Sequence, residues 1–259
     1  MEQSPNTEAL NTEAPNTEAP IAVAGLRKSF GAQMVLDGIT FQLVAGEVTC
    51  VLGRSGTGKS VLLKMLIGLE PAGAGSIRLE GCDISSASLH ELNEARKKVG
   101  FLFQQAALYD SMTIGDNVAF PLRRHTSLSG SERNRRVHQL LGSVGMDGNL
   151  DKMPSEISGG MRKRVGLARA LALEPTVVMF DEPTAGLDPI TAAEIAKLIL
   201  ELRDRHITCI VVTHDLHTAR TIADRLIVLD GGRILFDGTC AGFGESKDPL
   251  IVRFVEDAA

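Results

Sequence analysis

The sequence predicts an α/β fold, with a parallel β-sheet in its core, an antiparallel β flap and a helical insert. Two apolar runs of buried-strand length, Val48 to Leu52 and Thr176 to Phe180, are followed at once by glycines and by carboxylates, respectively. Helical periodicity fills the stretch between Ser88 and Pro154, and from Met161 helices alternate with apolar strands. That alternation is typical of βαβ units, whose strands pair in parallel.

The order of these patterns divides the chain into predicted segments. Residues 21–48 alternate apolar and polar side chains in short strands, which indicates the antiparallel flap. The core is expected to consist of residues 21–87 and 165–259, with a helical subdomain of about residues 88–164 between them. In this insert, Ser129 is the predicted N-cap of an arginine-rich helix.

A glycine-rich segment between the first apolar run and a helical stretch indicates a site for a nucleoside triphosphate. Glycines let backbone N–H groups turn toward a polyphosphate, and the following helix presents its positive dipole end. Lys59 is expected to reach the β- and γ-phosphates, and the Ser60 hydroxyl to ligate Mg²⁺. A turn that serves only tight packing is the alternative, and the full GxxxxGKS pattern argues against it. The residues predicted to contact ATP here are Gly53, Arg54, Ser55, Gly56, Thr57, Gly58, Lys59, Ser60 and Val61.

Two carboxylates, Asp181 and Glu182, end the second apolar run. Asp181 at the tip of the strand is suited to holding Mg²⁺ through water, and Glu182 beside it to polarising the water that attacks the γ-phosphate. A solvated acidic turn is the alternative, since such turns are common where strands end. The glycine-rich loop in the same chain favours the catalytic interpretation.

A third motif, Ile-Ser-Gly-Gly-Met-Arg-Lys-Arg at residues 157–164, runs into a basic, alanine-rich helix. It resembles the signature of the ATP-binding cassette (ABC) family, usually written LSGGQ, and implies an ABC ATP-binding domain over residues 21–259. Ser158, Gly159 and Gly160 at a helix N-terminus offer a hydroxyl, unobstructed N–H groups and a dipole to a second anion. In the family this site faces the glycine-rich loop of a second copy, so the resemblance implies a head-to-tail homodimer with ATP between the copies.

Four further positions match the same family pattern. By this resemblance, Gln104 touches Mg²⁺ and couples the site to a partner, while Asp188 lies at the dimer seam. His214 contacts the γ-phosphate, and the ring of Phe30 stacks on adenine. Taken alone, Gln104 fits a polar strand end, His214 a neighbour of a helix cap, and Phe30 an ordinary core aromatic.

Length and composition are those of an ordinary globular protein of 259 residues. No apolar run approaches the roughly 18 residues of a membrane-spanning helix, so we expect no span. The cysteines are scattered without CxxC spacing, which favours a reduced, cytosolic compartment. Residues 5–20 repeat a polar pentapeptide with proline, which predicts a disordered tail over residues 1–20.

The predicted insert is basic, although the whole chain carries a formal charge of −5. A solvated helix face is the ordinary explanation, and contact with anionic headgroups or an acidic partner is the functional alternative. No nucleic acid partner is expected, because the chain has one Tyr and no Trp to form an aromatic platform. The clustered arginines are Arg123, Arg124, Arg133, Arg135 and Arg136.

A narrower branch of the family is indicated by residues 96–113 and 116–123, by Met161 after Ser-Gly-Gly, and by Asp188-Pro189-Ile190-Thr191. These are similar to the Mla-type phospholipid transport (organic solvent resistance) ATPases, which are associated with mammalian-cell-entry (MCE) proteins. The resemblance implies ATP hydrolysis that powers transport of phospholipid or another hydrophobic molecule through a separate integral membrane permease. It also implies an MCE-type lipid-binding partner, a small cytoplasmic accessory subunit and attachment to the cytoplasmic face of the inner membrane through the permease.

Two other functions share the same chemistry. One is the ATPase subunit of an importer for a polar solute such as an amino acid, which would differ in its partner and in the surface around residues 104–122. The other is a soluble, non-transport ABC protein of DNA repair or translation. Such proteins usually carry two cassettes or long coiled-coil insertions, and this chain shows neither pattern.

Overall fold

A computed structural model describes residues 19–252, so almost all of the predicted tail at residues 1–20 lies outside the described residues. The strands, numbered along the chain, are β1 (Ile21–Phe30), β2 (Gln33–Gln42), β3 (Val48–Leu52), β4 (Ala74–Leu79), β5 (Cys82–Asp83), β6 (Val99–Leu102), β7 (Val177–Asp181), β8 (Thr208–Thr213), β9 (Arg225–Asp230) and β10 (Arg233–Gly238). The helices are α1 (Lys59–Leu66), α2 (Leu89–Lys97), α3 (Ile114–His125), α4 (Gly130–Ser143), α5 (Gly159–Ala170), α6 (Pro189–Asp204), α7 (Leu216–Ile222) and α8 (Cys240–Glu245).

The central sheet has the strand order β10-β9-β3-β8-β7-β6. Its neighbours from β9 to β6 pair in parallel, and β10 joins β9 in antiparallel orientation. Strands β3, β7 and β8 are buried along their whole length. Continuous apolar runs suit such strands because a parallel sheet is covered on both faces. The predicted α/β fold with a parallel core is confirmed.

A second sheet forms the antiparallel flap predicted from the first half of the chain, with the order β2-β1-β4-β5. Together with α1 it covers one face of the central sheet, and the longer helices cover the other. Successive side chains of a strand point to opposite faces. In β7, Met179 therefore packs toward the flap, whereas Phe180 packs toward the helices. The two carboxylates that follow Phe180 emerge at the C-terminal edge of this sheet.

The range predicted as a helical subdomain contains α2, α3, α4 and the start of α5. It also contains β6, which pairs with β7 at the edge of the central sheet, so the sheet takes four residues from this range. The division into core and helical subdomain stays a prediction. The predicted N-cap Ser129 is confirmed, since its hydroxyl accepts from the backbone N–H of Glu132 while the Glu132 side chain accepts from the backbone N–H of Ser129.

The cysteines fall into two groups within this fold. Cys50 in β3 and Cys209 in β8 are buried on adjacent strands, whereas Cys82 and Cys240 are partly exposed. Burial raises the pKa of the Cys209 thiol to about 12, and it raises the pKa of Cys50 well above its ordinary value. Among the helices of residues 19–252, none combines the length and the apolar character that crossing a bilayer demands.

Candidate nucleotide site

The glycine-rich loop connects the buried end of β3 to the N-terminus of α1, as its sequence predicts. Gly56 and Gly58 have φ angles of 83° and 96°, in the region that favours glycine. A Cβ atom at Gly58 would also lie 2.8 Å from Cγ1 of Val35. The chain therefore needs glycine at position 58 for its backbone angle and for its close approach to the flap.

Lys59 extends into the middle of this loop, and only 6% of its surface is exposed. Its ammonium donates to the carbonyl oxygens of Gly53 at 2.7 Å and Arg54 at 3.0 Å. The same nitrogen lies 3.5 Å from Oε1 of Glu182. A buried positive charge thus stands between the phosphate-binding loop and the carboxylates at the end of β7.

Ser60 and Asp181 meet at the start of α1, where the Ser60 hydroxyl donates to Oδ1 of Asp181 at 2.7 Å. Burial raises the pKa of Asp181, and the bond from Ser60 opposes that shift. A hydroxyl and a carboxylate are hard oxygen donors of the kind that Mg²⁺ prefers when phosphates and water complete its shell. The pair at Ser60 and Asp181 therefore fits Mg²⁺. Over residues 19–252, no three His, Cys, Asp or Glu side chains cluster as an all-protein metal site.

Glu182 follows β7 directly and adopts a φ of 48°, unusual for a residue other than glycine. Its Oε2 lies 2.9 Å from Nδ1 of His214, and its Oε1 faces the Lys59 ammonium. The side chain is largely buried, while that of His214 is about half exposed. The carboxylate is therefore fixed between two nitrogens at the edge of the site.

Lys163 of α5 contacts the turn behind Glu182, an interaction that the motif at residues 157–164 does not predict. Its ammonium donates to the carbonyl oxygens of Glu182 at 3.2 Å, Pro183 at 2.7 Å and Ala185 at 2.8 Å. Burial lowers the pKa of Lys163 to about 8, and the Glu182 carboxylate opposes the shift. The sequence contains one indication that Lys163 is buried, which is its helical spacing from Gly160 and Leu167. All three residues lie on the buried face of α5.

Residues of the glycine-rich loop, together with Glu182 and His214, line a cavity of about 410 Å³, a volume in the usual range for ligand sites. Phe30 stands at its rim with 48% of its surface exposed, as a ring that stacks on a base would, and the Lys28 ammonium lies 4.9 Å from the ring centroid. Gln104 reaches the same cavity from the turn that follows β6. The lining residues are Phe30, Val35, Ser55, Gly56, Gly58, Lys59, Ser60, Val61, Gln104, Glu182 and His214.

The signature residues lie elsewhere on the chain and do not line this cavity. Ser158 caps α5 by accepting from the backbone N–H of Met161 at 3.2 Å. Asp188 caps α6 by accepting from Ile190 and Thr191, whose hydroxyl also donates to it at 2.6 Å. One chain therefore presents two separate groups of predicted ATP contacts, and their roles stay predictions.

The N-termini of α5 and α6 pack so closely that Gly160 leaves no room for a Cβ atom. A Cβ at Gly160 would lie 2.3 Å from Cγ2 of Thr191, a short side chain held by its bond to Asp188. We expect Gly160→Ala to lower the free energy of unfolding by about 1 to 3 kcal/mol through this overlap, measured by thermal or urea denaturation.

The neighbouring glycine provides the control for this prediction. A Cβ at Gly159 would meet only Leu187, at 4.0 Å, so Gly159→Ala is expected to be neutral or slightly stabilising. Thr191→Ser removes Cγ2 and keeps the hydroxyl, so it should restore stability to Gly160→Ala. Equal stability of the two alanine variants would contradict the close-packing explanation.

Comparisons with known proteins identify the family of this chain. The family model described as ABC transporter matches residues 36–185, more than half of the chain. The chain is 44% identical to the "Probable ribonucleotide transport ATP-binding protein mkl" of Mycobacterium leprae, over 91% of this chain and 68% of that protein. It is 39% identical to the "Intermembrane phospholipid transport system ATP-binding protein MlaF" of Escherichia coli, over 88% of this chain and 86% of that protein. The chain spans about two thirds (66%) of the length of other mycobacterial relatives named mkl.

A solved structure shares the fold. It is an ATP-binding cassette in a dimeric post-hydrolysis state bound to ADP and Pi, with a TM-score of 0.78, 30% identity and coverage of 85% of this chain and 98% of that one. The family match includes the glycine-rich loop, the signature segment and both carboxylates. The predicted family is confirmed, and the chain belongs to the ABC transporter family as one of its ATP-binding domains.

Proposed function

We propose that the chain is the ATPase subunit of an ABC transporter and that it powers the movement of phospholipid, or of another hydrophobic molecule, through a separate permease. The observation that carries hydrolysis is the placement of Glu182, whose carboxylate is held between Lys59 and His214 at the mouth of the cavity. A carboxylate fixed in this way is suited to polarising water toward a phosphate. Membership of the ABC family supports the same chemistry.

The residues of the cavity divide the work of binding ATP. Backbone N–H groups of the loop and the Lys59 ammonium bind the polyphosphate, while Phe30 supports the base. Ser60 and Gln104 in the cavity, with Asp181 bonded to Ser60, would hold Mg²⁺, which would neutralise charge on the phosphates. His214 orients Glu182 and lines the same cavity as the loop, so it is the residue that would contact the γ-phosphate. Each assignment rests on the shared cavity and on the hydrogen bonds between these side chains.

The second group of contacts implies a second copy of the chain. Ser158, Gly159, Gly160 and Asp188 do not line the cavity. The first three form the N-terminus of α5, which is suited to a phosphate, and Asp188 is the N-cap of the neighbouring helix α6. A head-to-tail homodimer would bring them onto ATP held by the loop of the partner. The similar cassette that was solved as a dimer supports this arrangement.

The proposed cargo rests on the relatives and on the signature segment. The MlaF relative is a phospholipid transport protein by name and matches this chain over most of both lengths. Most cassettes of the family have Gln at the position of Met161. The Mla-type branch that the sequence resembles has Met there, as this chain does. The proposed partners are accordingly an integral membrane permease, an MCE-type lipid-binding protein and a small accessory subunit, at the cytoplasmic face of the inner membrane. Polar-solute import is the second candidate, because the mkl relative is named for ribonucleotide transport.

Identification of the partners tests the cargo more directly than an ATPase assay, because every candidate function includes ATP hydrolysis. The full chain would be tagged, purified from gently solubilised membranes and analysed by mass spectrometry, with an untagged strain as the control. Recovery of a permease together with an MCE-type protein is the expected result. A permease with a solute-binding protein would indicate polar-solute import, and reproducible recovery without any membrane protein would contradict the transport proposal.

A further inference from the structure

The turn that follows β6 contains two consecutive residues in a strained backbone conformation. Ala106 and Ala107 have φ angles of 60° and 46°, in the left-handed region that residues with a Cβ rarely adopt. Strain of this kind costs on the order of 1 kcal/mol or more per residue and persists only where the surroundings enforce it. This strained pair begins two residues after Gln104, which lies in the same turn and lines the nucleotide cavity.

Arg169, near the end of α5, supplies the enforcing contacts. Its two terminal nitrogens donate to the carbonyl oxygens of Ala106 and Ala107, each at 2.8 Å. Burial lowers the pKa of Arg169, yet a guanidinium keeps its charge in a protein. The planar fork suits two adjacent carbonyl groups, so one side chain fixes both strained residues at once.

The turn is also held from two further directions. Gly166 of α5 lies against it, since a Cβ there would come within 3.1 Å of the Ala106 Cβ atom. On the other side, the buried Asn117 of α3 accepts from the backbone N–H of Tyr109 at 2.8 Å and donates to its carbonyl at 3.1 Å. The turn at residues 104–108 is therefore held at one end by β6 and at the other by the bonds of Tyr109 to Asn117. The two hydrogen bonds from Arg169, called the clamp below, hold its middle.

We propose that Arg169 is a positioning residue that holds this strained turn and thereby keeps Gln104 in the nucleotide cavity. The inference rests on the proposed function, because Gln104 matters only if ATP and Mg²⁺ occupy the cavity. Helix α5 is capped by the signature residue Ser158 and carries Lys163, which donates to the turn behind Glu182. One rigid helix thus holds the turns after both β6 and β7, and it connects them to the second phosphate site.

The first test compares two substitutions of Arg169. Arg169→Met removes both hydrogen bonds, whereas Arg169→Lys keeps the charge and loses the fork. We expect kcat for ATP to fall about tenfold in Arg169→Met, with KM for ATP changed less than about twofold and a higher Mg²⁺ concentration needed for half-maximal rate. Arg169→Lys should recover only part of the loss. Full recovery by lysine, or a loss confined to KM, would contradict the proposal.

A second variant tests the strain itself. Ala107 is exposed, and glycine adopts a φ of 46° without strain, so Ala107→Gly should reduce the need for the clamp. We expect Arg169→Met to lower kcat only about threefold in the Ala107→Gly background, against about tenfold in the wild-type background. Ala45→Gly, at an exposed turn without a positive φ, serves as the control and should leave the tenfold loss unchanged. An equal loss in all three backgrounds would contradict the role of strain.

Hydrogen exchange separates this inference from the proposed function, because it requires no ATPase activity. In Arg169→Met, the backbone amides of Ala106 and Tyr109, which donate to the Phe103 carbonyl and the Asn117 side chain, should exchange at least several-fold faster than in the wild type, while those of β7 and β8 keep their rates. Unchanged exchange at Ala106 and Tyr109 would overturn the clamp even if the chain is an active ATPase. A wild-type chain without ATPase activity would instead contradict the proposed function, and the exchange result would still decide the role of Arg169.

Discussion

Glu182→Gln is expected to lower ATP turnover by about 10²- to 10⁴-fold while sparing ATP binding. The amide has nearly the same shape and can still accept a bond from His214, whose Nδ1 lies 2.9 Å from Oε2. It cannot accept a proton from water, so the chemical step loses its base. The loss should therefore appear in kcat, with little change in the affinity for ATP.

Steady-state hydrolysis and equilibrium binding of ATP, measured on the same preparation, check this prediction. Glu201→Gln on the exposed surface of α6 is the matched control and should leave both quantities unchanged. Its partner Lys197 is also exposed, so the pair contributes little to stability. Wild-type turnover in Glu182→Gln would remove Glu182 from the role of general base.

Lys59→Ala should weaken ATP binding by about 100-fold, which corresponds to about 2.7 kcal/mol. The Lys59 ammonium lies inside the loop within hydrogen-bonding distance of the carbonyl oxygens of Gly53 and Arg54. It is also the cation that faces Oε1 of Glu182, at 3.5 Å. Alanine removes the positive charge from the place where the phosphates bind, and it leaves the Glu182 carboxylate without that neighbour.

Titration calorimetry with MgATP measures the loss, and thermal denaturation checks that the variant remains folded. Lys197→Ala is the control, because its side chain is largely exposed on α6 and lines no part of the cavity. It should bind ATP as the wild type does. Wild-type affinity and rate in Lys59→Ala would overturn the assignment of the phosphate-binding loop.

Features of the site that depend on local patterns were predictable from the sequence. The loop at residues 53–60, the carboxylates after β7 and the position of Gln104 after β6 follow from motif spacing and strand length. The cap Ser129 follows from hydrogen-bonding chemistry within one turn of helix. In each case the residues that determine the structure are neighbours in the chain.

Features that depend on distant packing were not predictable in this way. Lys163 and Arg169 lie on α5, and their bonds to the turns after β7 and β6 exist only because the sheet brings those turns beside the helix. The positive φ angles of Ala106, Ala107 and Glu182 also contradict local preference, which favours glycine or asparagine at such positions. Tertiary contacts override that preference, and a single sequence does not record them.

The burial of Cys50 and Cys209 has a consequence for the chemistry of the intact fold. A thiol reacts with alkylating reagents as the thiolate, and both sulfurs are kept protonated and out of reach inside the parallel sheet. Cys82 and Cys240 are partly exposed, so a reagent reaches them without any opening of that sheet. Cys50 and Cys209 lie on the face of the sheet that the helices cover, so the rate at which they acquire label should report how often those helices move away from the sheet.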